Sequence, residues 1–284
     1  MNNKPLVSVG MPIRNGGKYL ESALKSITDQ TEQNLEIIIS DNKSDDGSSK
    51  YLKQLSETDD RIKYYCQDKI IRAYDNFRFV LDKANGEYFM WAAHDDTRDL
   101  EYIEKLTLEL QKNEKAVLAF GDLFINNIDD NTFNKKQFDF DTANMKKISR
   151  INKIAFMQCF HIYGLWRTRH VKKIPYSYCS WWPDLPMMLS AGIMGNFIYV
   201  PNVNFNYLEV KKTSAERIKY QDMSQKFSLV TAVAAFIFAT YNATYKTGGI
   251  AVGFYCALLV TIKQIINFPK WIIYRYKLYA KVND

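Results

Sequence analysis

The run Leu35-Glu36-Ile37-Ile38-Ile39 constrains this chain more than any other segment, because it leaves no face for water to wet. A near-continuous apolar strand is covered on both sides, the situation of a parallel strand inside an α/β sheet. The signal recurs along the first hundred residues. Leu6 to Met11 is a β-rich run closed by Pro12, Ile62 to Cys66 is a third strand, and Tyr88 to Ala93 is a fourth. After the first, Asn15-Gly16-Gly17 suits a tight turn. Leu20, Ala23, Leu24 and Ile27 then recur at helical spacing, with Lys18, Glu21, Lys25 and Ser26 off that face. Repeated units of strand, turn and helix predict a mostly parallel sheet flanked by helices.

In such sheets ligands bind beyond the carboxyl ends of the strands. The polar segments after strands one, two and four therefore bring Arg14 and Asn15, Asp41 and Asn42, and Asp95 and Asp96 toward one crevice. Two adjacent carboxylates at a strand end suit a divalent cation, Mg²⁺ or Mn²⁺, which would offset the charge of a bound diphosphate. Each of these residues also has a plainer reading. Asp95, Asp96 and Asp99 would end a strand and cap a helix over Leu100 to Leu110. Asp41 and Asp46 in SDNKSDDGSS would be turn formers, and Arg72 an exposed helix residue. Spacing alone leaves both readings open for each.

Composition removes several classes. With 284 residues, 47% of them hydrophobic, the chain buries a large core. The segment MNNKPLVSVG lacks a basic region followed by an apolar stretch, so synthesis into the cytosol is expected. Cys66, Cys159, Cys179 and Cys256 are dispersed, which predicts small buried hydrophobes, no disulfide and no structural metal. There is no P-loop, no Gly-x-Gly-x-x-Gly and no His-Glu-x-x-His. The net charge of +7 is uneven, since residues 263 to 284 hold Lys263, Lys270, Arg275, Lys277 and Lys281 against Asp284 alone. That placement argues for a basic tail and against a nucleic-acid partner.

PLVSVGMPIRNGGKYLESALKSITDQ, LEIIISDNKSDDGSS and ANGEYFMWAAHDD, in that order, resemble an inverting, non-processive family 2 glycosyltransferase of the GT-A fold. The likeness covers residues 5 to about 210, and IYGLWRTRHVKKI resembles the segment that opens the acceptor region. It implies a nucleotide-sugar donor, a UDP-sugar by preference, held by Pro12, Arg14, Asn15, Asp41, Arg72 and Asp95, with Asp96 on the metal. Asp184 matches the position of the catalytic base, and an inverting transfer needs one carboxylate to remove the acceptor hydroxyl proton. Trp181 and Trp182 would line the acceptor site, since indole faces pack on pyranose rings. The chain departs from the family pattern at three points. Arg14 stands where an aromatic residue is common, Ala93 stands at the first acidic position of the longer metal motif, and Tyr207-Leu208-Glu209-Val210 replaces Tyr-Arg-x-His. Lys211, Lys212 or Arg217 would have to supply the missing cation, although a surface charge run explains them equally. A nucleotidyltransferase, or a glycan-binding scaffold with a degenerate donor site, stands as the rival.

From Phe227 to Phe268 the only charges are Lys246 and Lys263. The apolar runs FSLVTAVAAFIFATY and GIAVGFYCALLVTI would each span about 20 to 23 Å as helices, short of the roughly 30 Å hydrocarbon core. Lys270, Lys277 and Lys281 form a narrow stripe on the last helical segment. The expected organisation is a GT-A catalytic domain over residues 1–215, its donor half about 1–122 and its acceptor half about 123–215. Residues 216–284 form a helical appendage, docked on the inner leaflet at the cytoplasmic face of the cell membrane or on a second copy. A glycan or lipid-linked acceptor would be met at that surface.

Overall fold

A computed structural model describes residues 4–128, 130–136, 140–175, 184–209 and 229–280. The chain opens with β1 (Val7–Ile13), α1 (Leu20–Thr28), β2 (Leu35–Asp41), α2 (Ser48–Ser56), β3 (Ile62–Cys66), α3 (Ala73–Lys83) and β4 (Tyr88–Trp91). Every residue of β1, β2 and β4 is buried, as the unbroken apolar runs require. β5 (Thr97–Arg98), α4 (Tyr102–Lys112), β6 (Ala116–Asn127), β7 (Thr132–Lys136), α5 (Lys147–Ala155), β8 (Leu165–Arg167), α6 (Thr168–Val171), α7 (Asp184–Met194) and β9 (Asn196–Glu209) follow. Two long helices, α8 (Leu229–Gly248) and α9 (Ile250–Ala280), end the described chain.

The sheet runs β3-β2-β1-β4-β8-β6-β9-β5, with β7 paired to β6. Its first four strands are parallel, which matches the α/β expectation. β8 then enters antiparallel to both β4 and β6, and β9 lies parallel to β6, so the far half is mixed. The strand order reverses at β1, which has β2 on one side and β4 on the other. Such a reversal opens a crevice at the carboxyl edge. Pro12 helps to define it: the residue lies past Trp91, where β4 ends, so its missing N–H removes no ladder bond on that side. The helix expected over Leu100 to Leu110 begins at Tyr102, because the two-residue strand β5 and the turn at Asp99 come first.

The opposite edge is fastened by one carboxylate. Glu36 is buried in β2 and accepts hydrogen bonds from Ser8 Oγ (2.6 Å), the Asn85 and Gly86 amides and Lys63 Nζ (2.6 Å), which joins β1, β2, β3 and the turn before β4. Gly86 is required there, since a Cβ would lie 2.6 Å from the Leu6 carbonyl oxygen and 2.7 Å from Ser8 N. Burial alone would raise the Glu36 pKa, but the bonds from Lys63, Ser8 and Asn85 outweigh it and hold the carboxyl down to about 2.

By its contacts the chain divides into two units, residues 1–143, 160–173 and 195–209 carrying the sheet, and residues 144–159, 174–194 and 210–284 carrying helices. This differs from the division at residue 215 read from the sequence, because α5 and α7 pack with α8 and α9. Within the helical unit Arg150 Nε donates to the Gly192 carbonyl (2.6 Å) and Tyr255 OH to Asn152 (2.6 Å). The second apolar run and the basic segment after it form one continuous 31-residue helix, α9. Among the described residues no helix is long and apolar enough to cross a membrane. Cys66, Cys159 and Cys256 are free thiols, and Cys66 is exposed rather than buried, since it closes the partly exposed outer strand β3.

The shift at Glu36 from its ordinary 4.5 is worth on the order of 3 kcal/mol. Its sign is that of a depressed acid, so the stabilisation is complete above 4.5 and is lost as pH falls toward about 2. Glu36→Gln should therefore lower urea-unfolding stability at pH 7 by roughly 2 to 3 kcal/mol, with the gap to wild type closing on acidification. A gap independent of pH would refute this role.

Candidate active site

Three loops meet at the carboxyl edge and are laced together by their own polar groups. The Asn15 amide donates to Ser44 Oγ (2.9 Å), its side chain exchanges hydrogen bonds with Asp45, and the Gly16 and Gly17 amides donate to Ser48 Oγ (3.1 Å) and Asp46 (2.9 Å). Asn15 and Gly17 take positive φ of 53° and 59°, which turns successive N–H groups toward the second loop. Asn42 fastens the third loop through a reciprocal pair, Nδ2 to the Ile71 carbonyl (2.7 Å) and the Ile71 amide to Oδ1 (2.8 Å). Arg72 follows at the mouth of α3, exposed and in a bidentate pair with Asp75 (2.7 and 3.0 Å). Arg14 is exposed at the end of β1.

Asp41 ends β2 and is engaged within its own loop. It is fully buried, and its oxygens accept from the Ser44 amide (2.9 Å), Ser44 Oγ (2.6 Å), Ser49 Oγ and Tyr64 OH (2.8 Å). Four bonds fill the acceptor capacity of a carboxylate, so a base that bonded to Asp41 would displace one of these hydroxyls. Asp46 is likewise engaged, with the Ser48 and Gly17 amides outweighing burial to lower its pKa. Both residues shape the loop, as the turn-former reading expects.

Asp96 stands apart from the other buried acids. Five carboxylates are buried among the described residues: Glu32, Glu36, Asp41, Asp96 and Asp122. Glu32 meets Lys4 and the Asn34 amide, Asp122 meets Tyr199, the Asn202 amide and Lys135, and Glu36 and Asp41 are saturated as described. Asp96, 1% exposed, has Oδ1 on the Leu208 amide (2.9 Å) and, among the described residues, no hydrogen-bond partner for Oδ2. Burial, and then the neighbouring Asp95 charge, push its carboxyl up to about 7. Burial, and then the charges of Asp96, Asp95 and Glu209, push the Tyr207 hydroxyl up to about 12.

Arg98 lies behind the carboxylates, fully buried, with Nη2 on the Trp91 carbonyl (2.9 Å) and its guanidinium 4.8 Å from the Phe205 ring. It offsets part of the negative charge at Asp96. Neither Arg98 nor the Leu208 amide was among the residues named from sequence. The only signal for the second was position, since Tyr207 and Leu208 occupy the first half of the motif that departs from Tyr-Arg-x-His. Asp95 and Asp96 do not cap α4, because β5 intervenes.

An unpartnered, buried carboxylate oxygen beside a second acid fits a hard divalent cation. No group of three or more His, Cys, Asp or Glu side chains gathers among the described residues, so diphosphate or water would complete the shell.

The structure thus gathers Pro12, Arg14, Asn15, Asp41, Arg72, Asp95 and Asp96 along one edge of the sheet. Asp184 belongs to the helical unit, as the first residue of α7, and burial pushes its carboxyl up to about 6. Trp181, Trp182, Lys211, Lys212 and Arg217 lie outside the described residues.

The family model for Glycosyl transferase family 2 matches residues 8–172, from β1 through β8 to α6. The chain belongs to this family. Membership of this family favours the glycosyltransferase reading over the nucleotidyltransferase and scaffold readings.

A Campylobacter jejuni GalNAc(5)-diNAcBac-PP-undecaprenol beta-1,3-glucosyltransferase is 32% identical over 154 residues, 54% of this chain and 48% of that protein. Bacillus subtilis TuaG, a putative teichuronic acid biosynthesis glycosyltransferase, is 32% identical over 119 residues, 42% of this chain and 47% of its own length. The chain thus spans less than half the length of these curated relatives. Among solved structures, S. aureus TarS 1-349 in complex with UDP-GlcNAc superposes with a TM-score of 0.68 at 13% identity, covering 91% of this chain and 72% of that one. That likeness establishes the GT-A fold of this family 2 member.

The reciprocal Asn42–Ile71 pair holds the far end of the third loop to the second, while Gln67 and Lys43 tie its near end. Asn42→Ala should speed hydrogen exchange at the Ile71 amide by about tenfold or more, with core amides of β1 and β2 unchanged. Unchanged protection at Ile71 would show that other contacts order the loop.

Proposed function

We propose that this glycosyltransferase moves one sugar from a UDP-sugar to a glycan or lipid-linked glycan acceptor, inverting the anomeric centre, with a divalent cation held at Asp96 and Asp95. The observation that carries this reading is the unpartnered buried oxygen of Asp96 beside the reversal in strand order. TarS structures hold UDP-GlcNAc or UDP, and a GalNAc-T7 structure holds UDP, GalNAc and Mn²⁺, which supports donor and metal of this type. The names of the Campylobacter and Bacillus relatives support a role in cell-surface glycan assembly.

When bound, Mg²⁺ or Mn²⁺ would neutralise diphosphate charge as the sugar departs. The chain's own residues have separate tasks. Arg14 offers an exposed guanidinium plane against the base in place of an aromatic ring. Asn15 and Arg72 contribute from the first and third loops, Asp95 meets the ribose, and Asp41 keeps the second loop in shape from beneath. Asp184 takes the acceptor hydroxyl proton while that oxygen bonds to the anomeric carbon and the diphosphate oxygen leaves with the bond electrons. One base suffices for one displacement, and the product is inverted.

A base near 6 is ionised at neutral pH and loses that form on acidification. With saturating donor and metal, kcat should fall about tenfold per pH unit below about 6. Asp184→Asn should remove transfer and spare UDP binding, whereas Asp96→Ala should remove metal-dependent UDP binding. Equal loss of UDP binding in the Asp184 variant would end its assignment as the base.

The helical unit supports docking at an anionic leaflet. Residues 229–280 contain five lysines and arginines and no aspartate or glutamate. From Ile250 to Ile266 the exposed residues of α9 among those whose side chains are described are apolar, namely Ile250, Ala251, Phe254, Leu258, Ile262, Ile265 and Ile266, while Lys263 turns inward toward the Met157 carbonyl. An apolar stripe on a basic, acid-free helix fits a position in the headgroup plane. The full chain should float with phosphatidylglycerol vesicles, weakly with phosphatidylcholine, and a Phe254→Glu, Leu258→Glu variant should stay behind. Dimerisation without flotation would assign the stripe to a second copy instead.

A further inference from the structure

A groove of about 380 Å³ lies on the β6–β7–β9 ribbon, clear of the three nucleotide loops. Register explains its lining. Ile125 pairs with Asn134 and with Tyr207, and Asn127 pairs with Thr132 and with Glu209. Alternate residues of a strand share a face, so these side chains form one surface across three strands.

The surface is chemically mixed. Ile125 gives an apolar floor, and Asn127 is fixed by donating to Glu209 (3.0 Å) while accepting from the Asp130 amide (3.1 Å). Thr132, Asn134 and Lys136 line the rest, and none of their side chains has a hydrogen-bond or ionic partner among the described residues. Lys135 is held away by its pair with Asp122 (2.8 Å). A hydroxyl, a carboxamide, an ammonium and a carboxylate over an aliphatic floor match a ring with hydroxyls at its edge and C–H groups on its face. The volume falls in the range of small-molecule sites, about 300 to 1,000 Å³.

Its place in the sheet decides which sugar this would be. Tyr207 and Glu209 flank Leu208, whose amide donates to Asp96 Oδ1 (2.9 Å). The nucleotide loops follow β1, β2 and β3, while the groove belongs to β6, β7 and β9, and the carboxylate pair follows β4 between them in strand order. We infer that this groove binds a sugar ring of the acceptor glycan, on the side of the Asp95 and Asp96 pair opposite the nucleotide. The inference rests on the proposed transfer reaction for the word acceptor, but the groove's affinity for sugar is testable by itself.

Saturation-transfer NMR on the full chain, with methyl glycosides of glucose, galactose, N-acetylglucosamine and glucuronic acid at millimolar concentration, reads that affinity. At least one glycoside should bind, and Asn134→Leu and Lys136→Ala should each weaken it by about tenfold, the loss expected of a single hydrogen bond or charged contact. UDP binding in the presence of Mn²⁺ should be the same in both variants as in wild type. Absence of binding by all four glycosides, or equal binding by wild type and both variants, overturns the groove. Sugar binding without any UDP binding would instead overturn the donor reading and leave the groove standing.

Discussion

The arrangement of this molecule depends on β1 being shared. Each neighbour of β1 arrives from a different part of the chain, so the loops that leave β1 and β4 are pushed to opposite sides and a gap opens between them. Pro12 lets β1 run past the end of β4 without stranding an amide. At the other edge Glu36 ties the same strands together, so the sheet is closed at one end and open at the other.

Buried carboxylates record this division of labour. Burying an ionised group is tolerated when hydrogen bonds replace water, and Glu36 and Asp122 meet that condition so fully that their pKa values fall. Asp41 is equally well supplied with partners and acts as the keystone of its loop. Among the described residues Asp96 has one bond, one oxygen without a partner and a like charge next to it, and its carboxyl rises to about 7. Among the described residues the other four buried acids have a partner on each oxygen, and the oxygen left over at Asp96 is the one the proposed function gives to a ligand.

Much of this was legible because the decisive strands are buried on both faces. Leu35 to Ile39 and the run from Tyr88 announce themselves by composition, and the strand ends then locate Asp41, Asp95 and Asp96. What was hidden is non-local. Leu208 reaches Asp96 across 112 positions, and β5 is two residues long, too short for any periodicity. The saturation of Asp41 by Ser49 and Tyr64 is also invisible in sequence, since the same residue types would suit either a turn or a ligand. In the C-terminal helices the basic, acid-free composition could be read directly. Which face stays uncovered depends on how α8 and α9 pack, and emerges only from the structure.

The central claim is that the bare oxygen of Asp96 is a metal ligand. Anomalous diffraction from crystals of the full chain grown with Mn²⁺ and UDP tests it directly. The account predicts an anomalous Mn²⁺ peak in coordination contact with Asp96 Oδ2 when UDP is bound. UDP bound in the crevice with no metal at Asp96, or Mn²⁺ bound elsewhere, would contradict it.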